Sequence, residues 1–496
     1  MNLYETLAGE MARLIADGVL RPGERLPSVR HVCRSQNVAP VTVTQAYHLL
    51  ESRGLIEARP RSGYFVRGRL GQRLAEPEMT RPVGESTALA VSDFIFQILD
   101  SVKDPAVVPL GSSFPSPHLF PLDKLGRFLA SAARHLDPLA TVTDLPPRNE
   151  ELRRQLSLRY LAQGAHVPPG EIIITSGAME GLNLCLQAVT RPGDLIAMES
   201  PTFYAGLQAA ERLGLKVIEI PSHPREGVSL VALEDALRHH PVRACLLMLN
   251  FANPTGARVP DERRRALVEL LDRHDVPLIE DDVYAELYFG TDLPMVTKAV
   301  DPAGRVMHVS SFSKCLAPGY RIGWVAAGRY ASAIQRQKLS LSLATTVPVQ
   351  IALADYLKHG GYDNHLRHLR RRLAGQEAAL VAAVEAHFPA GTRLARPAGG
   401  YFLWLELPPG GDALALHRQA LARGISIAPG PIFSAKREFG QCIRLNFGHP
   451  LEERGLAAVT TLGQLLTGGV QPSTSLIPSA PARAPDQSVP IQKHKY

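Results

Sequence analysis

The sequence predicts an α/β protein: a small N-terminal helical domain closed by a strand pair, then a large domain with a mostly parallel sheet flanked by helices. Three observations predict this. From about residue 106 to 466, short apolar β-like runs alternate with longer helical patterns: "EIIITS" before "AMEGLNLCLQAV", "DLIAME" before "TFYAGLQAAERLG", "ACLLMLN" before "DERRRALVELLDRHD", then "PLIEDD". Such alternation argues parallel strands joined by crossover helices. Residues 1–68 instead show short helical patterns followed by two β-like runs. The length, 496 residues at 45% hydrophobic and 20% charged, is too great for one simple core and apolar enough for large ones. The division expected is therefore 1–68, a linker over 69–105 containing "GQRLAEPEMTRPVGEST", a large domain over 106–466, and a tail over 467–496. The tail is rich in Pro, Ser and Ala without periodicity and reads as disordered, with no assigned function.

Bulk properties exclude several classes. No apolar run approaches the ~20 residues of a membrane span. The first residues, "MNLYETLAGEMARLIADG", are amphipathic and carry acids early, unlike a signal or transit peptide, so the expected location is the cytoplasm. Five scattered cysteines (Cys33, Cys185, Cys245, Cys315, Cys442) form no CxxC pair, which argues against a disulfide framework and a zinc site; no metal is expected. The net charge of +7 permits a nucleic-acid partner without demanding one.

In the N-terminal domain, Ser28 is placed to cap a helix over 28–37. "NVAP" makes a tight turn, and a second helix runs from Pro40, suited to a first helical position, to Ser52. Val43, Ala46, Tyr47, Leu49 and Leu50 form its apolar face; Thr42, Thr44, Gln45 and His48 lie on the other. "LIEARP" and "GYFVRG" follow as two strands around "RPRSG". This is a helix-turn-helix with a β-wing, which lays its second helix in a major groove. Residues 1–70 hold ten arginines, no lysine and six acids, a net of +4. A helical bundle with a solvated basic face is the plainer alternative. The pieces "LYETLA", "DGVLRPGERLPSVR" and "VTVTQAYHLLESRGLIEARPRSGYFV" resemble the winged helix-turn-helix of GntR-type regulators. The resemblance implies that Arg30, the recognition-helix residues Thr42, Thr44 and Gln45, and the wing residues Arg61 and Gly63 approach DNA. Ala39, Pro40 and Val41 depart from the polar or basic start common in such helices. They offer thymine-methyl contacts in place of bidentate hydrogen bonds.

In the large domain, "HVSSFSKCLAPGYRIGW" holds Lys314 in a small-residue segment with Arg321 seven residues on. A lysine nucleophile needs a carbonyl partner, usually pyridoxal 5'-phosphate (PLP). Such a site needs a phosphate cradle, a carboxylate for the pyridine nitrogen, a donor to the ring hydroxyl and an aromatic face. "TSGAMEGLNL" offers the cradle, with backbone N–H groups at Gly177, Ala178 and Met179 opening a helix, completed by Ser311, Ser313 and Arg321. Asp281 ends an apolar strand in "PLIEDDVYAEL", where sites of open α/β sheets collect, and Tyr284 follows three residues later. Asn253 lies in "NPTG" and Phe203 in "ESPTFYAG". Taken singly each has an ordinary reading: tight packing, an N-cap aspartate, a turn, a core ring.

The order "SGAMEGL", "ESPTF", "NFANPTG", "EDDVY", "SSFSKCLAPGYRIGW" and "CIRLNFGHP" resembles the fold-type I aminotransferases over about residues 106–466. The resemblance implies a small C-terminal subdomain beside the parallel sheet, PLP as cofactor, Lys314 as the Schiff-base lysine and Asp281 as partner of the pyridine nitrogen. It implies Asn253 and Tyr284 on the ring oxygen, Phe203 stacked on the ring, Arg321 on the phosphate, and Arg444 clamping a substrate α-carboxylate. "LPPRNEELRRQL" departs from the pattern near Arg148, where related chains often place a glycine.

The two halves together resemble the MocR subfamily of bacterial transcription regulators. That implies a cytoplasmic, nucleoid-associated homodimer reading two half-sites of an operator, with PLP or its adduct with an amino acid or amine as the signal. The alternative is an active PLP-dependent aminotransferase acting on an amino acid and a 2-oxo acid. Neither the target gene, nor activation against repression, nor the amino compound is written in the residues.

Overall fold

The computed structural model describes residues 3–16, 19–20, 24–52, 55–59, 63–66, 74–82, 84–100, 106–143 and 149–468. Its N-terminal part has helices Leu3–Ala16, Val29–Gln36 and Pro40–Ser52, then strands β1 (Ile56–Arg59) and β2 (Gly63–Val66), paired antiparallel. Ser28 caps the second helix by accepting from the His31 N–H, and Asn37 closes it in the left-handed region at φ 52°. Tyr47, buried in the third helix, donates its hydroxyl to the Pro27 carbonyl at 2.6 Å and locks the two helices of the motif together. Leu7, Met11, Val43, Ala46, Leu50, Ile56 and Val66 make a core of their own.

The stretch expected as a linker, 69–105, is tied to the large domain wherever it is described. Ala75 bridges Arg393, and the Thr80 hydroxyl donates to the Ser200 carbonyl at 2.6 Å. Strand β3 (Thr87–Ala88) joins the central sheet, and the helix Ser92–Asp100 is entered through Val91 and Ser92 N–H groups donated to Glu211. Val91 and Ile95 are buried in the large core. A two-residue strand is too short for alternation to be legible, which is why this stretch reads as linker from the sequence.

The large sheet adds β4 (Ile172–Thr175), β5 (Leu195–Ser200), β6 (Lys216–His223), β7 (Gly227–Val228), β8 (Val242–Leu247), β9 (Leu278–Asp281), β10 (Val306–Ser311) and β11 (Gly323–Ala326). Their order is β3-β6-β5-β8-β9-β10-β11-β4, with β7 on β6. The run β6-β5-β8-β9-β10 is parallel; β3 and β11 run the other way. Both faces are covered, which explains the continuous apolar strands. Ile196, Met198, Leu246 and Ile279 pack on Leu182, Cys185 and Leu186 of the helix Ala178–Val189. Ala197, Leu247 and Leu278 pack on Leu267, Leu270 and Leu271 of the helix Asp261–His274. A second, antiparallel sheet, ordered β12-β13-β15-β14, comprises β12 (Arg393–Leu394), β13 (Phe402–Glu406), β14 (Ala428–Pro429) and β15 (Cys442–Asn446).

The last described helix is Glu453–Thr467 with Gly468 as its cap, so Thr467 belongs to it; the rest of the expected tail lies outside the described residues. No described helix is long and apolar enough to cross a membrane.

Candidate functional site

The carboxyl ends of the parallel strands converge as open α/β sheets require. Thr175 ends β4, Ser200 ends β5, Asp281 ends β9 and Ser311 ends β10. Lys314 follows β10 and is 9% exposed. Its Nζ donates to the Ser113 carbonyl at 2.9 Å and lies 4.0 Å from the Phe114 ring centroid and 6.0 Å from that of Tyr284. Burial, reinforced by Arg444 and Arg321 and opposed by Asp281, pushes its amine down to about 7. Asp281 is 4% exposed, and its Oδ1 has no hydrogen-bond partner. Burial and then the neighbouring Asp282 push its carboxyl up to about 7, against the pull of Lys314. A buried carboxyl oxygen without a partner is costly; a protonated ring nitrogen is the kind of donor that would satisfy it.

Asn253 links two of the other expected residues. Its Oδ1 accepts from Arg444 Nη1 at 2.8 Å and its Nδ2 donates to the Tyr284 hydroxyl at 3.5 Å. Tyr284 is fully buried, and burial holds its hydroxyl well above the usual range. Phe203 is half-buried at the start of the helix Tyr204–Arg212, its ring 4.6 Å from that of Tyr204.

The residues expected to form the cradle lie together around one turn. Gly177 has φ 83°, and a Cβ there would sit 2.5 Å from Arg321 Nη2, so only glycine lets that guanidinium close on the turn. The Gly177 N–H is already donated to the Thr175 carbonyl. Ala178 and Met179 lie in the first turn of their helix, where N–H groups have no intrahelical acceptor. Arg321 Nη1 donates to Ser313 Oγ at 3.3 Å and Nη2 to the Ser176 carbonyl at 3.3 Å, while Ser311 Oγ accepts from the Ser313 N–H. Two serines, an arginine, a glycine turn and a helix N-terminus suit a phosphate. These residues fit PLP.

Several contributors carry no sequence signal. Ser113 and Phe114 touch Lys314, and Tyr204 and Tyr401 hydrogen-bond Ser113. Glu180 accepts from the Ser176 N–H beside the cradle and pairs with the buried Lys338 at 3.0 Å. Glu280, Asp282 and His308 form the one described cluster of potential metal ligands, and they are held by other side chains. Glu280 accepts from Arg264 and Thr297, and Asp282 accepts from Asn250 and pairs with His308 Nε2 at 2.8 Å. His308 Nδ1 meets the Tyr160 hydroxyl at 2.7 Å. Burial lowers the His308 pKa, but the hydrogen bond and charge of Asp282 and the charge of Glu280 together outweigh it, and the net shift is upward.

In the N-terminal part, Arg30, Gln45 and Gly63 are exposed, and Thr42 and Thr44 are half-buried. The Thr44 hydroxyl donates to the Pro40 carbonyl at 2.9 Å, leaving it only acceptor capacity. Val41 is 66% exposed at the start of the recognition helix. The exposed Arg25, not singled out from sequence, packs against Gly63, where a Cβ would lie 3.2 Å from its Nε. Arg61 and Arg148 lie outside the described residues.

Comparison with known proteins agrees with this geometry. Residues 140–459 match the family described as aminotransferase class I and II, and residues 3–66 match bacterial regulatory proteins of the gntR family. The uncharacterized HTH-type transcriptional regulator YdcR of Escherichia coli strain K12 is 46% identical over 466 residues, spanning 94% of this chain and 99% of the relative. Aromatic-amino-acid aminotransferase 1 of Thermococcus litoralis is 30% identical, spanning 75% of this chain and 91% of that one. Among solved structures, the multiple substrate aminotransferase of Thermococcus profundus superposes with a TM-score of 0.69 at 27% identity, covering 75% of this chain and 94% of that chain.

Proposed function

This chain belongs to the aminotransferase class I and II family and carries a GntR-type helix-turn-helix in the MocR arrangement, and from that membership we propose a transcription regulator that binds PLP at Lys314 and changes its operator affinity in response. The observation that carries the proposal is a buried, deprotonation-prone lysine amine in a polypeptide whose first residues match a DNA reader. PLP supplies an aldehyde that an amine can capture and a ring that draws electrons from the captured carbon. The chain's residues would hold it: Ala178, Met179, Ser311, Ser313 and Arg321 on the phosphate, Asp281 on the ring nitrogen, Asn253 and Tyr284 on the ring oxygen, and Phe203 on the ring face. Gly177 takes a conformational part. The protein is read as a cytoplasmic, nucleoid-associated homodimer, so that two readers meet two half-sites. The reader occupies 1–68 and the PLP-binding domain 106–466, with 69–105 between them.

A ligand shifts operator affinity only if it binds two arrangements differently. The test is operator binding, by gel shift, with and without PLP. A changed affinity is expected; equal affinities would sink the effector role.

Two further outcomes follow. With its amine near 7, Lys314 captures PLP at a rate that rises with pH up to about 7 and then levels. A lysine at its ordinary 10.5 would still be gaining rate well above that, and stopped-flow absorbance across pH distinguishes the two. Arg30→Ala weakens operator binding across sequences and lowers the log–log salt slope by about 1 if Arg30 meets a phosphate. A salt titration of the variant measures this.

The second reading, an active aminotransferase, is favoured by the completeness of the lysine site and the likeness to aminotransferases. Multiple turnover with an amino acid and a 2-oxo acid tests it.

A further inference from the structure

The arginine expected to clamp a ligand carboxylate is closed off by the chain itself. Arg444 is 0% exposed. Its Nη2 donates to the Gly111 carbonyl at 2.7 Å, the Ser112 carbonyl at 3.2 Å and Ser113 Oγ at 3.3 Å, and its Nη1 donates to Asn253 Oδ1 at 2.8 Å. Nε has no partner. A carboxylate grips a guanidinium through two parallel N–H groups. On arginine both such edges use Nη2, and here both Nη2 hydrogens are committed to residues 111–113.

The same segment reaches the lysine. The Ser113 carbonyl accepts from Lys314 Nζ at 2.9 Å and from the Tyr401 hydroxyl at 3.1 Å, and Ser113 Oγ pairs with the Tyr204 hydroxyl at 2.8 Å. It is also held from outside. Asn446 Nδ2 donates to the Ser112 and Phe114 carbonyls, and the Gly111 N–H donates to Ser426 Oγ. At Gly111 a Cβ would lie 2.7 Å from the Ile427 carbonyl carbon, so glycine lets the segment press against the strand side. Backbone carbonyls thus sit where a ligand's carboxylate oxygens would go.

We propose that Gly111–Phe114 is a built-in occupant of the carboxylate subsite, so that an α-amino acid enters only by displacing it while an amine without a carboxylate leaves it seated. The proposal rests on PLP being held at Lys314 and names how that site sorts its amino compounds. Displacement by the carboxylate costs the segment its Arg444 bonds and frees a stretch of backbone. A plain amine needs none of these donors.

The test uses full-length PLP-loaded protein, with L-alanine and its decarboxylated counterpart ethylamine as probes. Each is raised until the visible spectrum stops changing. Hydrogen–deuterium exchange is then followed in peptides covering 108–116. Alanine is expected to speed exchange there, and ethylamine to leave it unchanged. Ser113→Ala, which removes one bond to Arg444 and one to Tyr204, is expected to tighten alanine relative to ethylamine by about tenfold, the worth of a hydrogen bond to a charged group. Saturation by alanine with unchanged or slowed exchange overturns the proposal, whatever the variant does. A spectrum that responds to neither probe overturns the amino-compound reading on which the proposal rests.

Discussion

Replacing Lys314 with alanine is expected to abolish the visible absorption that PLP gives the protein and to erase the PLP-dependence of operator binding, while PLP-free operator affinity stays at the wild-type value. Lys314 is the amine buried among the expected PLP ligands, and burial holds it in a state ready to capture an aldehyde. The rest of the site survives its loss. The Ser113 carbonyl keeps the Tyr401 hydroxyl as donor, and Arg321 keeps Ser313 and the Ser176 carbonyl. A weak, non-covalent affinity for PLP through the phosphate cradle therefore remains. Absorbance titration and gel shifts on the variant check both halves. A visible band of wild-type intensity in Lys314→Ala would place the covalent chemistry on another residue.

The largest stability effect is expected at Arg264. It is 0% exposed, yet its guanidinium serves six acceptors: the carbonyls of Val259, Leu249 and Met295, Asn250 Oδ1, Thr297 Oγ1 and Glu280 Oε1. Glu280 is also fully buried, and its Oε2 has no partner. Arg264→Met leaves that carboxyl without its ion-pair partner, at an expected cost of about 3–5 kcal/mol. The urea midpoint of the large domain should fall accordingly, and pairing Arg264→Met with Glu280→Met should recover part of the loss. The effect reaches the site, because Arg264 holds Asn250, Asn250 donates to Asp282, and Asp282 adjoins Asp281. A midpoint within error of wild type would show that water or rearrangement takes over Arg264's role.

Much of this was legible in the sequence because strand ends carry short, distinctive residue runs. "SGAMEGL", "EDDVY" and "SFSK" each fall where a strand stops, and "NPTG" lies in the loop after β8, so motif order and fold reinforced one another. The recognition helix Pro40–Ser52 was legible because its apolar residues keep helical spacing; Val43, Ala46, Tyr47 and Leu50 are all buried. Other contributors were illegible for physical reasons. Gly111 and Ser112 act through carbonyls, which every residue has. Arg264 stands in "DERRRALVELLDRHD", where a buried arginine looks like its solvated neighbours. His308 and Tyr160 are 148 positions apart and meet only through the fold. Gly177 was expected to lend its N–H to a phosphate, but that N–H turns back to Thr175 and glycine's value there is the room it leaves for Arg321.

The central claim is that PLP at Lys314 and operator DNA at the N-terminal reader are energetically coupled. Linkage makes that reciprocal: operator must change PLP affinity by the factor by which PLP changes operator affinity. The direct measurement is the Kd for PLP, from absorbance titration of full-length protein, alone and with saturating operator duplex. A change of about 5- to 150-fold, the ordinary range of coupling, is expected, matching the ratio from gel shifts. Identical PLP affinities with and without operator would contradict the account and leave two functions that share a chain without sharing a signal.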